Sequence, residues 1–257
     1  MKPFLNKSIL VTRPVQRAEE LILAILGFGG KVIGAPMMEI QKNKELMPER
    51  IAKTLRASDV VIFLSINAVE YSLIKSPALI PFVAQKKIFA IGESTATKLR
   101  SLGLDSFFPE KKATSEGLLE LEGLDSQKIK TKNVAVLKGV GGRRKLKAVL
   151  EERGASVANI NCYKRISTNV SIKKALRASS IEVPDVIVST SAAIVKILGS
   201  KIESEYLLSL YEVPMVVPSA RVAQTARGLG FTGEVIVAKG ATTDAIINAV
   251  EDWAWRK

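Results

Sequence analysis

The chain of 257 residues contains no histidine. That absence removes Ser-His-Asp and Cys-His nucleophile systems, histidine general bases and histidine metal ligands together. Cysteine is nearly missing too. Cys162 stands alone, so no disulfide closes within the chain and no thiolate zinc cluster forms. Aromatic residues make up only 5%, thin for a protein that stacks nucleic-acid bases. Leu21 to Leu26, the longest apolar run, is far too short to span a bilayer. Ile9 to Val11 is too short for the apolar region of a signal peptide. No close pair of carboxylates reads as an acid/base dyad. The expectation is a cytoplasmic protein that works without metal, cofactor or membrane.

Acidic residues are the other shortfall. Lys and Arg number 38 against 25 Asp and Glu, a net charge of +13. Eight of these basic residues fall between Lys128 and Lys147, a stretch with no acid in it. Such an excess favours anionic partners. What is present in ordinary amount is apolar material, 47%, enough for one large or two small domains with real cores.

Short apolar runs alternate with stretches of helical period. Ser8–Val11, Lys31–Ile33, Asp59–Phe63 and Lys87–Ile91 read as strands. Helices are expected over about 14–26, 68–74 and 95–101, and a packed last helix carries Asp252 to Trp255. Strand, turn and helix in series predict an α/β protein with parallel sheets flanked by helices. The chain also repeats itself. Ile9–Arg13 matches Val134–Lys138 at an offset of 125; Asp59, Ser65 and Val69 match Asp185, Ser191 and Val195 at 126. Ala96, Arg100 and Gly103 match Ala223, Arg227 and Gly230 at 127, and Thr114 matches Thr242 at 128. An ordered, slowly drifting offset points to a duplicated α/β unit, two similar domains in one chain.

Several strand-to-helix turns carry small polar residues: Ser65-Ile66-Asn67, Gly92-Glu93-Ser94-Thr95, Ser189-Thr190-Ser191 and Pro218-Ser219-Ala220-Arg221. These residues serve as helix caps, as anion-binding turns beyond the strand ends, or as both. Lys138-Gly139-Val140-Gly141-Gly142-Arg143-Arg144-Lys145 follows a strand and opens a helix. It lacks the spacing of a Walker A loop and the third glycine of a dinucleotide fingerprint. Its glycines let backbone approach a ligand, and its charges suit several negative groups; a solvated basic face is the competing reading. Tyr163 sits in Asn161-Cys162-Tyr163-Lys164-Arg165, a half-buried strand residue by pattern. Cys162 reads as core, because no histidine can activate it.

The sequence resembles the uroporphyrinogen-III synthase family over nearly its whole length. Ile9-Leu10-Val11-Thr12-Arg13-Pro14 is similar to that family's opening strand and turn. Phe63-Leu64-Ser65-Ile66-Asn67-Ala68-Val69 resembles its Phe-Thr-Ser-x-x-Ala-Val segment, with Leu64 in place of the usual Thr. Ile91-Gly92-Glu93-Ser94-Thr95-Ala96 is similar to its Val-Gly-x-x-Thr-Ala turn, and Tyr163 falls where the family has a Tyr. Ser219-Ala220-Arg221-Val222-Ala223 departs from the Gly-Pro-Thr-Thr-Ala of many members, Arg221 offering charge where they offer hydroxyls.

The resemblance implies two flavodoxin-like α/β domains joined by a two-stranded antiparallel linker, one domain inserted in the other. Residues 1–36 and 168–257 would form one, 42–161 the insert, with 37–41 and 162–167 as connectors. A simple duplication would instead place a cut near residue 126. The active site would lie in the cleft between the domains. The reaction implied is closure of hydroxymethylbilane, with loss of water and inversion of the last pyrrole, to uroporphyrinogen III. Tyr163 is then the residue expected to donate to the leaving hydroxyl. Thr12, Arg13, Ser65, Asn67, Ser94, Thr95, Lys138, Gly139, Ser191, Ser219 and Arg221 are expected to bind the substrate's carboxylates. A monomer in transient contact with the preceding pathway enzyme is expected. Two rival classes remain: a non-enzymatic two-domain binder of small anions, and a nucleic-acid-binding protein. The few aromatics and the lack of any recognisable module count against the latter.

Overall fold

A computed structural model describes residues 3–45, 47–142 and 144–256. The chain divides into two compact units. The first comprises 1–40 with 166–257, and the second 41–165.

The first unit is built on β1 (Ser8–Val11) and β2 (Lys31–Gly34). The connecting strand β3 (Met38–Lys42) follows. The second unit holds β4 (Val60–Phe63), β5 (Lys87–Ala90), β6 (Asn133–Gly139) and β7 (Ser156–Ser167). The chain then returns to the first unit with β8 (Val186–Val188), β9 (Met215–Val217) and β10 (Val235–Val237). One sheet runs β10-β9-β8-β1-β2 and the other β3-β7-β6-β4-β5. In chain order the first sheet is 2-1-3-4-5, the flavodoxin-like doubly wound arrangement.

The central strands are apolar throughout because helices cover both faces. β1, β4, β8 and β9 are buried at every position. Successive residues of β1 serve opposite cores. Leu10 packs with Ile33, Ile187 and Met215, while Ile9 and Val11 pack with Leu21, Ile25 and Ile246. Within the second unit Val60, Ile62, Val134 and Val136 meet Leu146 and Leu150 from the helix Lys145–Glu152.

The two sheets share one strand order. Phe107 bridges to Phe89 in parallel, a one-residue fifth position beside β5. With it the run Phe107-β5-β4-β6-β7 matches β10-β9-β8-β1-β2 position for position, and β3 adds an edge beyond β7. Equivalent caps agree. Ser65 accepts from Ala68 N–H and Ser191 from Ile194 N–H; Thr114 accepts from Gly117 N–H and Thr242 from Ala245 N–H.

Two segments link the units. Thr168 N–H donates to the Met37 carbonyl at 3.2 Å, and Asn43 N–H donates to the Cys162 carbonyl at 3.0 Å. One partner number rises as the other falls, so the linking segments run antiparallel. Residues 162–167 are the last part of β7, which continues unbroken to Ser167.

Helix boundaries differ from the periodic pattern where side chains intervene. Residues 14–26 begin as a 3₁₀ turn at Val15–Arg17, and the α-helix starts at Glu19. Residues 66–69 form an α turn that widens into a π turn over Glu70–Ile74. There Ser72 Oγ bonds the Ala68 carbonyl, taking an acceptor from the helical ladder. The helix expected from Thr95 starts two residues earlier at Glu93, with Gly92 as its cap. In the last helix, Thr243–Ala254, Trp253 is buried and Trp255 is exposed.

Candidate active site

The carboxyl ends of parallel strands gather the polar turns of each unit, where helix N-termini leave unpaired N–H groups. In the second unit the chain order reverses between β4 and β6. Ser65, the first residue past β4 but one, caps the following helix. Tyr163 approaches it from β7. Their hydroxyl oxygens lie 3.0 Å apart. Arg165, two residues farther along the same strand, donates from Nη2 to the Tyr163 hydroxyl at 3.1 Å. Its guanidinium also stands 5.2 Å from the ring centroid. The Tyr163 ring is 2% exposed and lies 5.9 Å from the ring of Tyr71, whereas Arg165 is exposed. The tyrosine body is thus fixed in the core and its hydroxyl held among polar groups.

Counting protons shows what this cluster offers. Ser65 Oγ already accepts from Ala68 N–H at 3.1 Å, and the Tyr163 oxygen already accepts from Arg165. Two hydroxyl protons remain and one bond joins the two oxygens. One proton is left to donate outward. The Arg165 cation stabilises the anion that such donation would create.

Gly139, at the end of β6, is what lets the ring sit there. A Cβ at this position would lie 2.7 Å from two carbons of the Tyr163 ring. Tyr163 fills the space beside Gly139, so this glycine makes room for the ring. Gly141 and Gly142 are different, with φ of 79° and 84° and no close neighbour across the Cβ position. Past them the chain opens the basic helix Lys145–Glu152. Arg143 lies outside the described residues.

Beside this loop is a depression of about 470 Å³ lined by Lys138, Arg144, Lys147, Glu151, Asn159 and Asn161, with Gly141 and Gly142 in its wall. Burial, reinforced by the neighbouring Arg144 charge, holds the Lys138 ammonium below the usual lysine range. Cys162 is buried between the strands, and burial pushes its thiol up to about 12. It is a packing residue, not a nucleophile.

The remaining residues expected in the site occupy two further places. Asn67 is buried in the first turn of the helix that Ser65 caps, and Thr95 is buried in the helix that Gly92 caps while Ser94 is exposed. In the first unit Thr12 is fully buried. Its hydroxyl donates to the Val188 carbonyl at 2.8 Å and lies 2.8 Å from Ser189 Oγ, joining the ends of β1 and β8 at that sheet's switch point. Arg13 donates from Nη2 to the Ala241 carbonyl at 2.6 Å, and burial with the adjacent Arg17 charge lowers its pKa. Ser191 caps the helix Ala192–Ser204, Ser219 stands at the start of Ala220–Gly228, and Arg221 is exposed in that helix's first turn.

Sequence reasoning did not single out Arg165, Asn159 and Asn161, and took Arg144 only as one charge of the glycine loop. Arg165 carried a readable signal, its two-residue spacing from Tyr163 on a strand. The two asparagines shared the same period but lacked charge to single them out. No group of metal-ligating side chains is present among the described residues.

Comparison with known proteins gives a consistent result. The family model described as uroporphyrinogen-III synthase HemD matches residues 19–248. A uroporphyrinogen-III synthase of Salmonella typhimurium is 32% identical over 252 residues, covering 95% of this chain and 100% of that one. Its Escherichia coli counterpart is 32% identical over 256 residues, again covering 95% and 100%. Among solved structures, a mutant uroporphyrinogen III synthase from Thermus thermophilus superposes with a TM-score of 0.65 at 15% identity, covering 98% and 100%. The uroporphyrinogen-III synthetase of Helicobacter pylori gives 0.61 at 16% identity, covering 96% and 99%. These two support the fold.

Proposed function

We propose the following chemistry for this chain, which belongs to the uroporphyrinogen-III synthase family. Membership makes it a cyclising lyase of tetrapyrrole biosynthesis. Its substrate is hydroxymethylbilane, four linked pyrroles bearing eight carboxylates, two on each ring. A C–O bond breaks, and the hydroxyl accepts a proton and departs as water. The electron-rich pyrrole supplies the push and becomes an azafulvene cation. The last ring's substituted α-carbon attacks that cation, and its original methylene bond breaks to leave an azafulvene cation on the neighbouring ring. The last ring's free α-carbon then bonds to that methylene and gives up its proton, so the macrocycle closes with that ring inverted. One proton enters and one leaves, so water is the only by-product.

The protein needs little acid or base strength for this. Its work is to hold a flexible chain folded, and positioning of this kind offsets about 7–11 kcal/mol of barrier. Tyr163 supplies the proton to the departing oxygen, in a geometry set by Ser65 and Arg165. Asn67, Ser94, Thr95, Lys138 and Gly139 of the second unit, with Arg13, Ser191, Ser219 and Arg221 of the first, receive carboxylates through side chains or neighbouring N–H groups. Thr12 acts from within by tying β1 to β8. The reading treats 1–36 with 168–257 as one domain and 42–161 as the other. It places the protein in the cytoplasm as a monomer that takes its substrate from the preceding enzyme.

The observation that carries the reading is the family match across residues 19–248, joined to a hydroxyl cluster with one proton to give at a strand-end switch point. The test is to mix pure protein with enzymatically made bilane and separate the product isomers. Formation of the inverted isomer faster than spontaneous closure is the expected outcome. The uninverted isomer alone, at the spontaneous rate, leaves an anion-binding protein.

A further inference from the structure

The depression beside the glycine loop has two cations that no carboxylate balances among the described residues. Three cations line it, Lys138, Arg144 and Lys147, against one carboxylate. Glu151 is already paired with Lys147 at 3.4 Å. Lys138 and Arg144 have no carboxylate partner among the described residues, although burial and mutual repulsion act on Lys138. Lys138 is half-buried and Arg144 exposed at the rim, so an anion entering the recess would meet both charges. Asn159 and Asn161 add amide donors, and the loop at Gly141 and Gly142 exposes backbone without side chains. A volume of about 470 Å³ suits one substituted five-membered ring with two short acid arms and is too small for four linked rings.

We propose that this depression is a dicarboxylate subsite that takes both acid arms of a single pyrrole ring, Lys138 meeting one carboxylate and Arg144 the other. The choice of a pyrrole rests on the function proposed above; the pair of carboxylates rests on the two unpaired cations. Holding one ring by both arms fixes its rotation as well as its position. That is the constraint an isomer-selective closure needs.

The test is a calorimetric titration of the full chain at low ionic strength, first with a monopyrrole bearing one acetate and one propionate, then with inorganic phosphate. The monopyrrole is expected to bind, and Lys138→Met and Arg144→Met are each expected to weaken it about tenfold, the scale of a lost charged hydrogen bond. Glu151→Gln removes the only carboxylate lining the recess and is expected to tighten binding about threefold, a gain that misfolding does not produce. Unchanged affinity in both cation variants overturns the proposal. So does phosphate binding as tight as the diacid, which makes the recess a general anion site. The titration involves no turnover. Absent cyclisation with the expected titration overturns the proposed reaction alone, and a flat titration with normal isomer formation overturns the subsite alone.

Discussion

Three side chains from two strand ends, Ser65, Tyr163 and Arg165, carry most of the chemical argument, and each needs the others. If Arg165 acts through the tyrosine hydroxyl, its effects are confined to turnover that uses that hydroxyl. Tyr163→Phe is expected to lower kcat about a hundredfold with little change in KM. Arg165→Met is expected to lower kcat about tenfold, with partial rescue by Arg165→Lys. In the Tyr163→Phe background Arg165→Met should add nothing, and a steady-state double-mutant cycle reads this directly. An additive cycle separates the two residues; an unchanged Tyr163→Phe removes the tyrosine from the mechanism. Gly139 makes a second prediction at this scale. Gly139→Ala places a methyl 2.7 Å from the ring carbons. It is expected to lower stability by about 1–3 kcal/mol and to cut kcat by displacing the hydroxyl, both measurable on one preparation. Tyr163 and Ser65 were visible separately in the sequence, 98 residues apart. Only their strands' pairing through β6 brings them together.

At the scale of elements, caps do much of the local work. Glu205 is the clearest case. Its carboxylate accepts from Ser171 Oγ at 2.8 Å, Ile172 N–H at 3.2 Å and Lys173 N–H at 2.7 Å, closing the start of the helix Ile172–Ala178. Desolvation pushes this carboxyl upward, but the backbone N–H of Lys173 and the other donors outweigh it and leave the pKa lowered. A carboxyl lowered by folding stabilises the fold fully above its unfolded value, about 4.3. That increment disappears as pH falls through the folded value. Glu205→Ala is therefore expected to cost about 1–2 kcal/mol at neutral pH and progressively less as pH falls below about 4.3, as chemical denaturation across that range would show. Strands were legible because parallel central strands demand unbroken apolar runs. Helix starts were less so. The π turn at Glu70–Ile74 coincides with a bond from the Ser72 hydroxyl to the Ala68 carbonyl, a contact that periodicity does not encode.

For the whole molecule, the repeat and the fold partition the chain differently. The repeat changes copy near residue 126, yet the compact units change at 40/41 and 165/166. Each copy therefore supplies two strands to one unit and a three-strand set to the other: β1 and β2 with β4, β5 and Phe107, then β6 and β7 with β8, β9 and β10. A fragment of residues 41–165 holds every strand of its sheet except part of β3 and the end of β7, and is expected to unfold cooperatively on heating. A fragment of residues 1–126 lacks β6 and β8 and is expected to show no cooperative transition by circular dichroism. The reverse result would place the domain boundary at the repeat. The net charge of +13 acts at the same scale. Raising salt from 0.05 to 0.5 M shortens the screening length from roughly 14 Å to roughly 4 Å, and KM for the polycarboxylate is expected to rise several-fold with kcat nearly constant.

Apolar period, turn chemistry and offset pointed to the α/β class and the repeat, because these are properties of the chain read in one dimension, while the family entered through the resemblance of its motifs. The absence of histidine likewise decided in advance that any proton donor is of another kind. The tertiary structure decided which copy's strands share a sheet, that Gly139 makes room for a tyrosine, and that Arg165 stands against that tyrosine's hydroxyl. It also decided that Lys138 and Arg144 share one recess with neither paired to a carboxylate among the described residues. Each of these is a distance between residues remote in sequence or on different elements, and such distances are set by packing rather than by any local rule.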